Sequence, residues 1–444
     1  MKKITFLLVL MFFLQVFADN IWINQRPKEF GSASSSIIHV GTKTRGYTMG
    51  VADDGQGGKA PYCFVMVDGM FWNNCSPNFT GQMKFVTPAR ILPDGRLVGV
   101  IMEVQGFSVL SSFIVSDDLF NFMPVYFFDV KNRDDQPSTY GRALSVVDNV
   151  VWLGLKNGKV KKSTDLGTTW ENIVVTSDSE VEITVVKFRD SLNGIAAGGV
   201  VKEEIAAGGE QEKVVKEKGC IFQTADGGST WTPIVEGLKM IPENVIVTSS
   251  GRIFLQYYDD KSIKSTSGQK SFVWSDDDFA SFSGWDKSFE IQTASGTFST
   301  GTIYDSDEGA VDEIWATGFC GSGVNYNPCT INTFDGGESW RDLIVFGAGL
   351  LGPISVLDSN HVYIAGGGRS IWKWGDPNED FTEQEIPDET VVEIPDETVE
   401  TPDENKQEEG GQDEDNDDKD REETADDEID EDEDDGGCSC SFVR

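Results

Sequence analysis

The 444-residue sequence predicts an all-β protein, and three patterns support this prediction. Short runs rich in β-branched and aromatic residues recur along the chain, separated by glycine and aspartate. An eight-residue motif recurs at intervals that suit one small sheet per repeat. Few segments show the 3.6-residue period of an amphipathic helix. These patterns favour a ring of small antiparallel sheets.

The motif has the form S/T-x-D-x-G-x-T/S-W, and its three full copies begin at Ser163, Thr224 and Thr333. A degenerate fourth copy contains Asp277, with phenylalanine in place of the glycine and the tryptophan, and a weaker fifth contains Asp118. Successive aspartates are 47 to 61 residues apart. Such a period is typical of folds that use one small sheet per repeat.

Each residue type in the motif has a local structural role. The aspartate can accept hydrogen bonds from backbone N–H groups of its own turn, and the glycine supplies a backbone conformation closed to residues with a Cβ. The tryptophan can wedge between neighbouring sheets. We therefore predict that the motif closes hairpin turns rather than binding metal or substrate. The structural residues are Asp165, Gly167, Trp170, Asp226, Gly228, Trp231, Asp277, Asp335, Gly337 and Trp340.

The octapeptides resemble the Asp-box, or BNR, repeat of β-propellers, over roughly residues 45–375. A pair of short predicted strands recurs seven times along this stretch, the first pair near Tyr47 and the last near His361. The resemblance implies a single β-propeller of four-stranded blades. We predict seven blades, with six or eight as alternatives. Similar propellers include sialidases and the non-catalytic assembly factors of photosystem II, so the resemblance leaves enzymatic activity open.

A sialidase needs an arginine triad for the substrate carboxylate, a Tyr/Glu pair and an Asp acid/base. The segment from Arg90 to Arg96 matches the family's first arginine motif only in part, because Leu92 intrudes before Pro93. No other triad arginine can be assigned. Glycosidases in general need two positioned carboxylates, and 43 acidic residues precede residue 376. We therefore assign no catalytic residue and favour a protein that is not an enzyme, with a sialidase-like glycoside hydrolase as the alternative.

The repeat also predicts where a partner binds. Because the motif links the third and fourth strands, the connection between the second and third strands must lie at the opposite end of each blade. These connections are long at residues 53–61, 200–219, 257–270 and 319–327. We predict that this face binds the partner, the alternative being that the loops are merely tolerated insertions. The candidate contacts are Tyr257, Tyr258, Asp259, Asp260 and Tyr326.

Charge and histidine content exclude some kinds of site. The chain has 75 acidic and 36 basic residues and a net charge of −39, whereas nucleic-acid phosphates require a basic surface. The two histidines, His39 and His361, argue against His-rich zinc sites and leave little room for a histidine general base. We predict no metal site, no cofactor and no nucleic-acid partner.

The acidic excess is concentrated near the C-terminus. Residues 376–444 contain 32 acidic and 4 basic residues, and Glu-Ile-Pro-Asp-Glu-Thr-Val occurs there twice. Such a segment cannot bury a core, so residues 376–437 are predicted to be a disordered tail. Weak calcium binding, docking to a basic partner and a solubilising spacer are its alternative roles. Residues 438–444 contain Cys438 and Cys440, which could form an intermolecular disulfide.

Residues 1–18 have the pattern of a secretory signal peptide: two lysines precede an apolar run to Phe17, and we predict cleavage after Ala18. The alternative is an uncleaved membrane anchor, but the run is short for a bilayer span, and we predict no integral membrane segment. We expect a secreted protein, extracellular or in an endomembrane lumen. Two closely spaced glycosylation sequons begin at Asn74 and Asn78.

Export permits disulfides. Cys63 is close enough to Cys75, and Cys320 to Cys329, to staple one hairpin or loop each, although sequence leaves the connectivity open. Cys220 is then left over, or pairs with the tail. The count of seven is odd, so at least one thiol is free or intermolecular.

These observations predict a secreted or lumenal, non-catalytic propeller spanning residues 19–375. It would bind a protein or glycan partner through the face opposite the Asp boxes, and the acidic tail would add electrostatic contacts. A further alternative, besides the hydrolase, is an extracellular assembly or matrix factor whose tail collects calcium.

Overall fold

A computed structural model describes residues 21–25, 33–53, 59–75, 84–105, 108–129, 131–204, 213–238, 240–257, 271–275, 290–293, 296–299, 304–322, 325–344, 351–366 and 370–377. The chain divides into two units, residues 1–382 and 383–444, and the described residues all belong to the first. The predicted signal peptide and residues 378–444 of the tail lie outside them.

Seven antiparallel sheets, or blades, follow one another along the chain. The N-terminal strand β1 (Ile21–Asn24) belongs to the last of them. Blade 1 contains β2 (Ala33–Val40), β3 (Gly46–Asp53), β4 (Lys59–Met66) and β5 (Trp72–Asn74). Blade 2 contains β6 (Lys84–Ile91), β7 (Leu97–Gln105), β8 (Ser108–Ser116) and β9 (Met123–Phe128). Blade 3 contains β10 (Leu144–Val147), β11 (Val150–Gly154), β12 (Lys159–Ser163) and β13 (Glu171–Val174).

Blade 4 contains β14 (Val181–Phe188), β15 (Gly194–Glu204), β16 (Lys213–Thr224) and β17 (Thr232–Leu238). Blade 5 contains β18 (Pro242–Val247), β19 (Ile253–Tyr257) and β20 (Ser271–Ser275). Blade 6 contains β21 (Glu290–Thr293), β22 (Gly296–Ser299), β23 (Asp305–Glu308), β24 (Ile314–Ser322), β25 (Asn325–Thr333) and β26 (Arg341–Ile344). Blade 7 contains β27 (Ile354–Asp358), β28 (His361–Ala365), β29 (Ile371–Gly375) and β1.

The innermost strands of the blades contact one another in chain order, and the innermost strand of blade 7 returns to that of blade 1. The blades therefore form a closed ring, a seven-bladed β-propeller, and the predicted fold class is confirmed. The ring closes through antiparallel pairing of β1 with β29, which places Trp22 opposite Trp374. One turn of 3₁₀ helix spans Arg133–Asp135. In the part of the chain that the structure describes, no helix is long and apolar enough to cross a bilayer.

The core lies between the blades. Alternate residues of a strand point to opposite faces, so each blade buries one apolar layer against each neighbour. Between blades 2 and 3, Phe113, Leu144 and Val151 are fully buried, and Phe113 meets the Trp170 ring edge-on at 5.1 Å between centroids. The described residues form one such apolar cluster at each of the seven blade interfaces. Packing is therefore distributed around the ring.

The three octapeptides form the turns between β12 and β13 of blade 3, between β16 and β17 of blade 4, and between β25 and β26 of blade 6. In blade 4, Oδ1 of Asp226 accepts hydrogen bonds from the Thr230 backbone N–H at 2.9 Å and from the Thr224 hydroxyl at 2.8 Å. The carboxylates of Asp165 and Asp335 accept equivalent bonds from the residues at the same spacing. Each carboxylate thus closes its own turn. The degenerate copy at residue 277 lies outside the described residues.

The glycine and tryptophan complete these turns. Gly228 has φ of +86° and donates its N–H to the Thr224 hydroxyl at 3.0 Å. Residues with a Cβ rarely adopt this conformation, which explains the glycine in the motif. The indole N–H of Trp170 donates to the carbonyl of Gly167 at 2.9 Å, and that of Trp340 donates to Gly337 at 3.2 Å.

Two disulfides lie within single blades, as predicted. Cys63 bonds to Cys75 across 5.2 Å between Cα atoms, and Cys320 bonds to Cys329 across 5.7 Å. Cys220 is a free thiol, 4% exposed in β16. Burial, aided by the charge of Glu236, raises the pKa of the Cys220 thiol to about 12. The thiol is therefore protonated and unreactive at neutral pH.

Candidate functional site

The inner strands surround a channel with a cavity of about 340 Å³. Alternation along each inner strand decides which residues reach it. On β2, for example, Val40 is buried between blades while His39 lines the channel. The charged and ionisable residues of the channel are His39, Arg90, Arg142, Lys187, Glu243, Asp305, Asp307 and Glu308.

Arg142, which lies two residues before the start of β10, reaches across the channel from blade 3 to blade 6. Its Nη1 lies 3.1 Å from Oδ1 of Asp307, and its Nη2 lies 3.3 Å from the carboxylate of Asp305 and also donates to the carbonyl of Ser306. Burial lowers the pKa of Arg142, but the two carboxylates outweigh this effect and hold the pKa above its ordinary value. Arg142 is therefore a charged strut that spans the ring.

All four carboxylate oxygens of Asp305 and Asp307 accept hydrogen bonds from N–H donors. Besides Arg142, Asp305 accepts from the Gln256 side chain at 3.1 Å and from the backbone of Ile354 at 3.2 Å. Asp307 accepts from the backbone of Val356 at 2.9 Å. A glycosidase needs one carboxyl group that donates a proton and a second that acts as nucleophile or base. This pair is instead occupied by structural contacts.

Lys187 forms a second ionic contact across the channel. Its Nζ lies 3.2 Å from Glu308 of blade 6 and donates to Oδ1 of Asn244 and the carbonyl of Val245, both in blade 5, at 3.2 Å. The ammonium therefore links blades 4, 5 and 6, and its charge is neutralised locally.

Arg90 differs from these two cations. Its Nη1 donates to the carbonyls of Ala89 at 2.8 Å and Gly141 at 3.0 Å, and within the described residues it has no ion pair. Burial and repulsion from Arg142 lower the pKa of Arg90 to about 10, and Asp307 offsets part of this effect. Arg90 is thus a fixed, charged guanidinium at neutral pH.

His39 lies beside Arg90 in the channel wall. The backbone N–H of Ile91 donates to Nδ1 of His39 at 3.1 Å. Burial lowers the pKa of His39 well below its ordinary value, and the positive charges of Arg90 and Arg142 lower it further. The imidazole is therefore neutral at physiological pH.

The face opposite the octapeptide turns carries long β-hairpins. In blade 4, β15 and β16 remain paired from Gly194–Thr224 to Glu204–Lys213, whereas β14 pairs only as far as Val200. Residues 201–204 and 213–216 thus form a two-stranded ribbon beyond the four-stranded sheet. In blade 6, the hairpin β21–β22 pairs with the far end of β24 and enlarges that sheet to six strands.

At two of the predicted long loops, the structure has β-hairpins instead. Most of residues 200–219 and nearly all of residues 319–327 are paired strand. The physical reason in blade 6 is that β22 and the Cys320–Cys329 disulfide support the extended pair. Tyr326 lies opposite Gly321 in this hairpin.

Of the other predicted contact residues, only Tyr257 lies in the part of the chain that the structure describes. Tyr257 is 4% exposed and belongs to the apolar cluster between blades 4 and 5, so its side chain is part of the core and not of a surface contact. Residues 258–260 lie outside the described residues, as does Asn78. Asn74 is exposed at the end of β5.

The charged channel was not predicted from sequence, apart from the observation that Arg90 matches a sialidase motif in part. Arg90 does line the channel, whereas Arg96 forms a surface ion pair with Asp94 at 2.6 Å in the β6–β7 turn. The sequence signal that could have indicated the channel is the alternation of Asp305 and Asp307 in the innermost strand of blade 6. Their partner Arg142 is more than 160 residues away, and no pattern connects them.

No family model matches the chain, and no curated protein matches it in sequence. Solved structures do resemble it. A GH74 xyloglucanase from Xanthomonas campestris superposes with a TM-score of 0.50 and 15% identity, over 80% of this chain and 53% of that one. Ycf48 bound to a D1 peptide matches with a TM-score of 0.47 and 11% identity, over 80% and 97% of the two chains. An ulvan lyase of polysaccharide lyase family PL25 gives 0.44 and 11%, over 80% and 96%. The chain is similar to these proteins in its β-propeller fold.

Proposed function

We propose that the chain is a non-catalytic binding propeller, which holds a protein or glycan partner on the face opposite the octapeptide turns. The observation that carries this proposal is the enlargement of that face by the blade 4 ribbon and the hairpin β21–β22. Insertions on one face of a repeat fold often form its binding surface. At the other face, the outer turns of blades 3, 4 and 6 have the compact octapeptide geometry.

The contacts of the channel aspartates support our proposal that the chain is not catalytic. Its aspartates Asp305 and Asp307 are engaged with Arg142 and with backbone N–H groups. Removing either carboxylate from these contacts would leave the buried Arg142 with only one of its two counter-charges, which is costly. The sialidase alternative is tested by incubating the whole chain with sialosides. Release of sialic acid above the buffer blank would favour a hydrolase.

The experiment for the binding face shortens the blade 4 ribbon. Residues 202–215 are replaced by Asn-Gly, which joins the paired residues Val201 and Lys216 through a two-residue hairpin turn. We expect an unchanged melting temperature and loss of the partners that the parent retains from the native secreted fraction or on a glycan array. Mass spectrometry identifies retained proteins.

The matched control lies at the other end of the same blade. Leu192 is 55% exposed in the β14–β15 turn, and Leu192→Ser should retain every partner. A ribbon variant that keeps all partners, together with a Leu192→Ser variant that loses them, would place binding on the octapeptide face and contradict the proposal.

We further propose that the acidic tail strengthens binding to basic surfaces. Long-range charge mainly accelerates association and is screened by salt. A chain ending at residue 377 should therefore bind the same partner more slowly at low ionic strength and equally well at high ionic strength. Surface plasmon resonance of both chains measures this, and equal association rates at low salt would exclude a role for the tail in binding.

A further inference from the structure

The outer strand of blade 2 carries a row of exposed apolar side chains. Met123, Val125 and Phe127 of β9 are 65%, 36% and 69% exposed. Leu110 of β8 is 42% exposed and lies diagonally beside Phe127 on the same face of the sheet, because Ser112 is the residue opposite Phe127. The side chains of Leu110, Met123, Val125 and Phe127 form the β9 patch, an apolar surface whose burial against a second apolar surface is favourable.

The corresponding strands of other blades show that the β9 patch is not a requirement of the fold. In blades 1, 3 and 4, as in blade 2, the fourth strand is the last in its sheet. None of the exposed residues of β5 and β17 is a large apolar one; they are Asn73, Asn74, Thr232, Pro233, Glu236 and Gly237. Strand β13 exposes Val174 beside Glu171 and Asn172. Among these four blades, an apolar row at this position is specific to blade 2.

The backbone of β9 is also available for pairing. The strand is the edge of its sheet, which has the order β6-β7-β8-β9, and no other strand that the structure describes pairs with it. An edge strand leaves backbone N–H and C=O groups open along its free side, and natural proteins usually protect such edges with charges, prolines or bulges. In β9, Pro124 and the register shift beside Val125 protect only the start of the strand. The rest of the strand, Val125 to Phe128, has no charged side chain and remains open to an added strand.

We propose that β9 pairs with β9 of a second copy of this chain, antiparallel and about a twofold axis, so that two blades become one eight-stranded sheet. A backbone strand with apolar side chains complements both the open N–H and C=O groups of the edge and the β9 patch beside them. A twofold axis makes this surface its own partner, and the pairing closes the edge in both copies. Association through this edge therefore stops at the dimer. The interface is separate from the partner face proposed above.

The charges at the two ends of β9 favour the antiparallel direction. Asp117 and Asp118 precede the strand, whereas Asp129, Lys131 and Arg133 follow it. The next two aspartates are already neutralised by lysines of blade 3. The end before the strand therefore has two net negative charges, and the end after it has one net positive charge. Antiparallel pairing places these unlike ends beside each other, whereas parallel pairing would place like ends together.

The net charge of −39 opposes self-association and limits its strength. Most of this charge comes from residues 376–444, which contain 32 acidic and 4 basic residues, and salt at physiological concentration screens exposed charges more than about 8 Å apart. One strand pair is also a small interface, and small interfaces belong to weak, transient complexes. We therefore expect a monomer at about 1 µM and a substantial fraction of dimer at about 200 µM.

Sedimentation velocity of the whole chain at these two concentrations, in physiological salt, tests the proposal. Cys438 and Cys440 are replaced by serine in every sample, so that an intermolecular disulfide cannot imitate the dimer. We expect the weight-average mass to rise from the monomer value towards twice that value. Hydrogen exchange of the same samples should show slower exchange of the β9 amides at the higher concentration and no change in the β13 amides.

Variants connect the dimer to the β9 patch. Phe127→Lys places a charge on the open edge, and the exposure of Phe127 makes the change compatible with the fold. We expect its dissociation constant for the dimer to rise at least about tenfold. The matched control is Val174→Lys, since Val174 is 57% exposed in the fourth strand of the next blade, and it should dimerise like the parent. Val125→Lys takes the place of Phe127→Lys if the latter does not fold, as judged by its melting temperature.

Three results would overturn the proposal. The first is a mass that stays at the monomer value at about 200 µM, which would leave the β9 patch to a different protein or to solvent. The second is a folded lysine variant of β9 that dimerises as strongly as the parent, or a Val174→Lys variant that loses the dimer to the same extent. The third is a dimer that forms without slower exchange of the β9 amides, because such a dimer would use another surface.

Discussion

Aspartate side chains have two different roles in this propeller. In the octapeptide turns, Asp165, Asp226 and Asp335 are exposed and accept hydrogen bonds from the hydroxyl and the backbone N–H of the residue four positions later. In the channel, Asp305 and Asp307 are largely buried and neutralise Arg142. The first role is visible in the sequence because all of its partners lie within one octapeptide. The second requires the ring.

The turn aspartates should make stability depend on pH in the acid range. Hydrogen bonds from the side-chain hydroxyl, and then from the backbone N–H, of the residue four positions later lower the pKa of each to about 2, whereas the unfolded value is about 3.9. The folded pKa is depressed, so the stabilisation is present above about pH 4 and is lost as the pH falls towards about 2. The variant Asp165→Asn, Asp226→Asn, Asp335→Asn should melt at a lower temperature near neutral pH and lose less stability on acidification.

Thermal melting followed by circular dichroism, at about pH 6, 4 and 2, measures this effect. The conservative variant Ser229→Ala, in the same turn as Asp226, is the control, because it leaves the carboxylate bonds in place. An acid dependence that is the same in the triple variant and the parent would show that these carboxylates do not carry it.

The two histidines should show opposite tautomers. His39 accepts a hydrogen bond at Nδ1, whereas Nδ1 of His361 faces the carboxylate of Asp358 at 2.7 Å and donates to it. Burial and the charges of Arg90 and Arg142 lower the pKa of His39 well below its ordinary value, so its ring should be neutral near neutral pH. Long-range ¹H–¹⁵N correlation spectra distinguish the tautomers directly, and titration of His39 near its ordinary pKa of about 6.5 would contradict the structure.

The lowered pKa of His39 should also make the stability of the fold depend on pH. Because the unfolded chain takes up a proton at this histidine below about pH 6.5 and the folded chain does not, the contribution of His39 becomes less favourable as the pH falls through that value. His39→Gln should therefore reduce the pH dependence of unfolding as the pH falls through about 6.5.

The outer strand β9 shows how one element divides between core and solvent. Phe128 is 6% exposed and packs near Trp170, at 6.4 Å between ring centroids, whereas its neighbour Phe127 is 69% exposed. Phe128→Ala should therefore lower the free energy of unfolding by about 3–5 kcal/mol, and Phe127→Ala should change it by less than about 0.5 kcal/mol. Urea unfolding of both variants tests this, and similar losses would mean that Phe127 is covered in solution.

Element lengths were only partly predictable. The segment from Phe319 to Asn327 contains two glycines and ends next to a proline, so its composition predicts a loop. In the structure it is paired strand up to the tip of the β24–β25 hairpin. Its pairing depends on β22 and on a disulfide, which are contacts from outside the segment. Local composition predicts where a turn falls, but not how far a hairpin extends beyond its sheet.

For the molecule as a whole, the period of the octapeptide predicted a repeat fold of small sheets, and its resemblance to the Asp-box repeat implied the ring. A single small sheet cannot bury both of its faces alone, so neighbouring repeats must pack against one another. The pairing of β1 with β29, which closes the ring, was not predicted, since the two strands lie at opposite ends of the folded region in sequence. The channel was likewise hidden, because Arg142 and Asp305 are brought together only when blades 3 and 6 face each other across the ring.

The strut across the channel should therefore contribute to the stability of the ring. The side chains of Arg142, Asp305 and Asp307 are only 17%, 10% and 19% exposed, so Arg142→Met leaves two carboxylates with little solvent and no counter-charge. We expect a loss of about 3 kcal/mol in the free energy of unfolding. Adding Asp305→Asn and Asp307→Asn should restore part of this loss, because neutral amides do not need the guanidinium. Two outcomes would contradict this prediction: a free energy of unfolding for Arg142→Met within about 0.5 kcal/mol of the parent's, or a triple variant that is less stable than Arg142→Met. In either case, the apolar blade interfaces and the pairing of β1 with β29 would hold the ring without help from the Arg142 ion pairs.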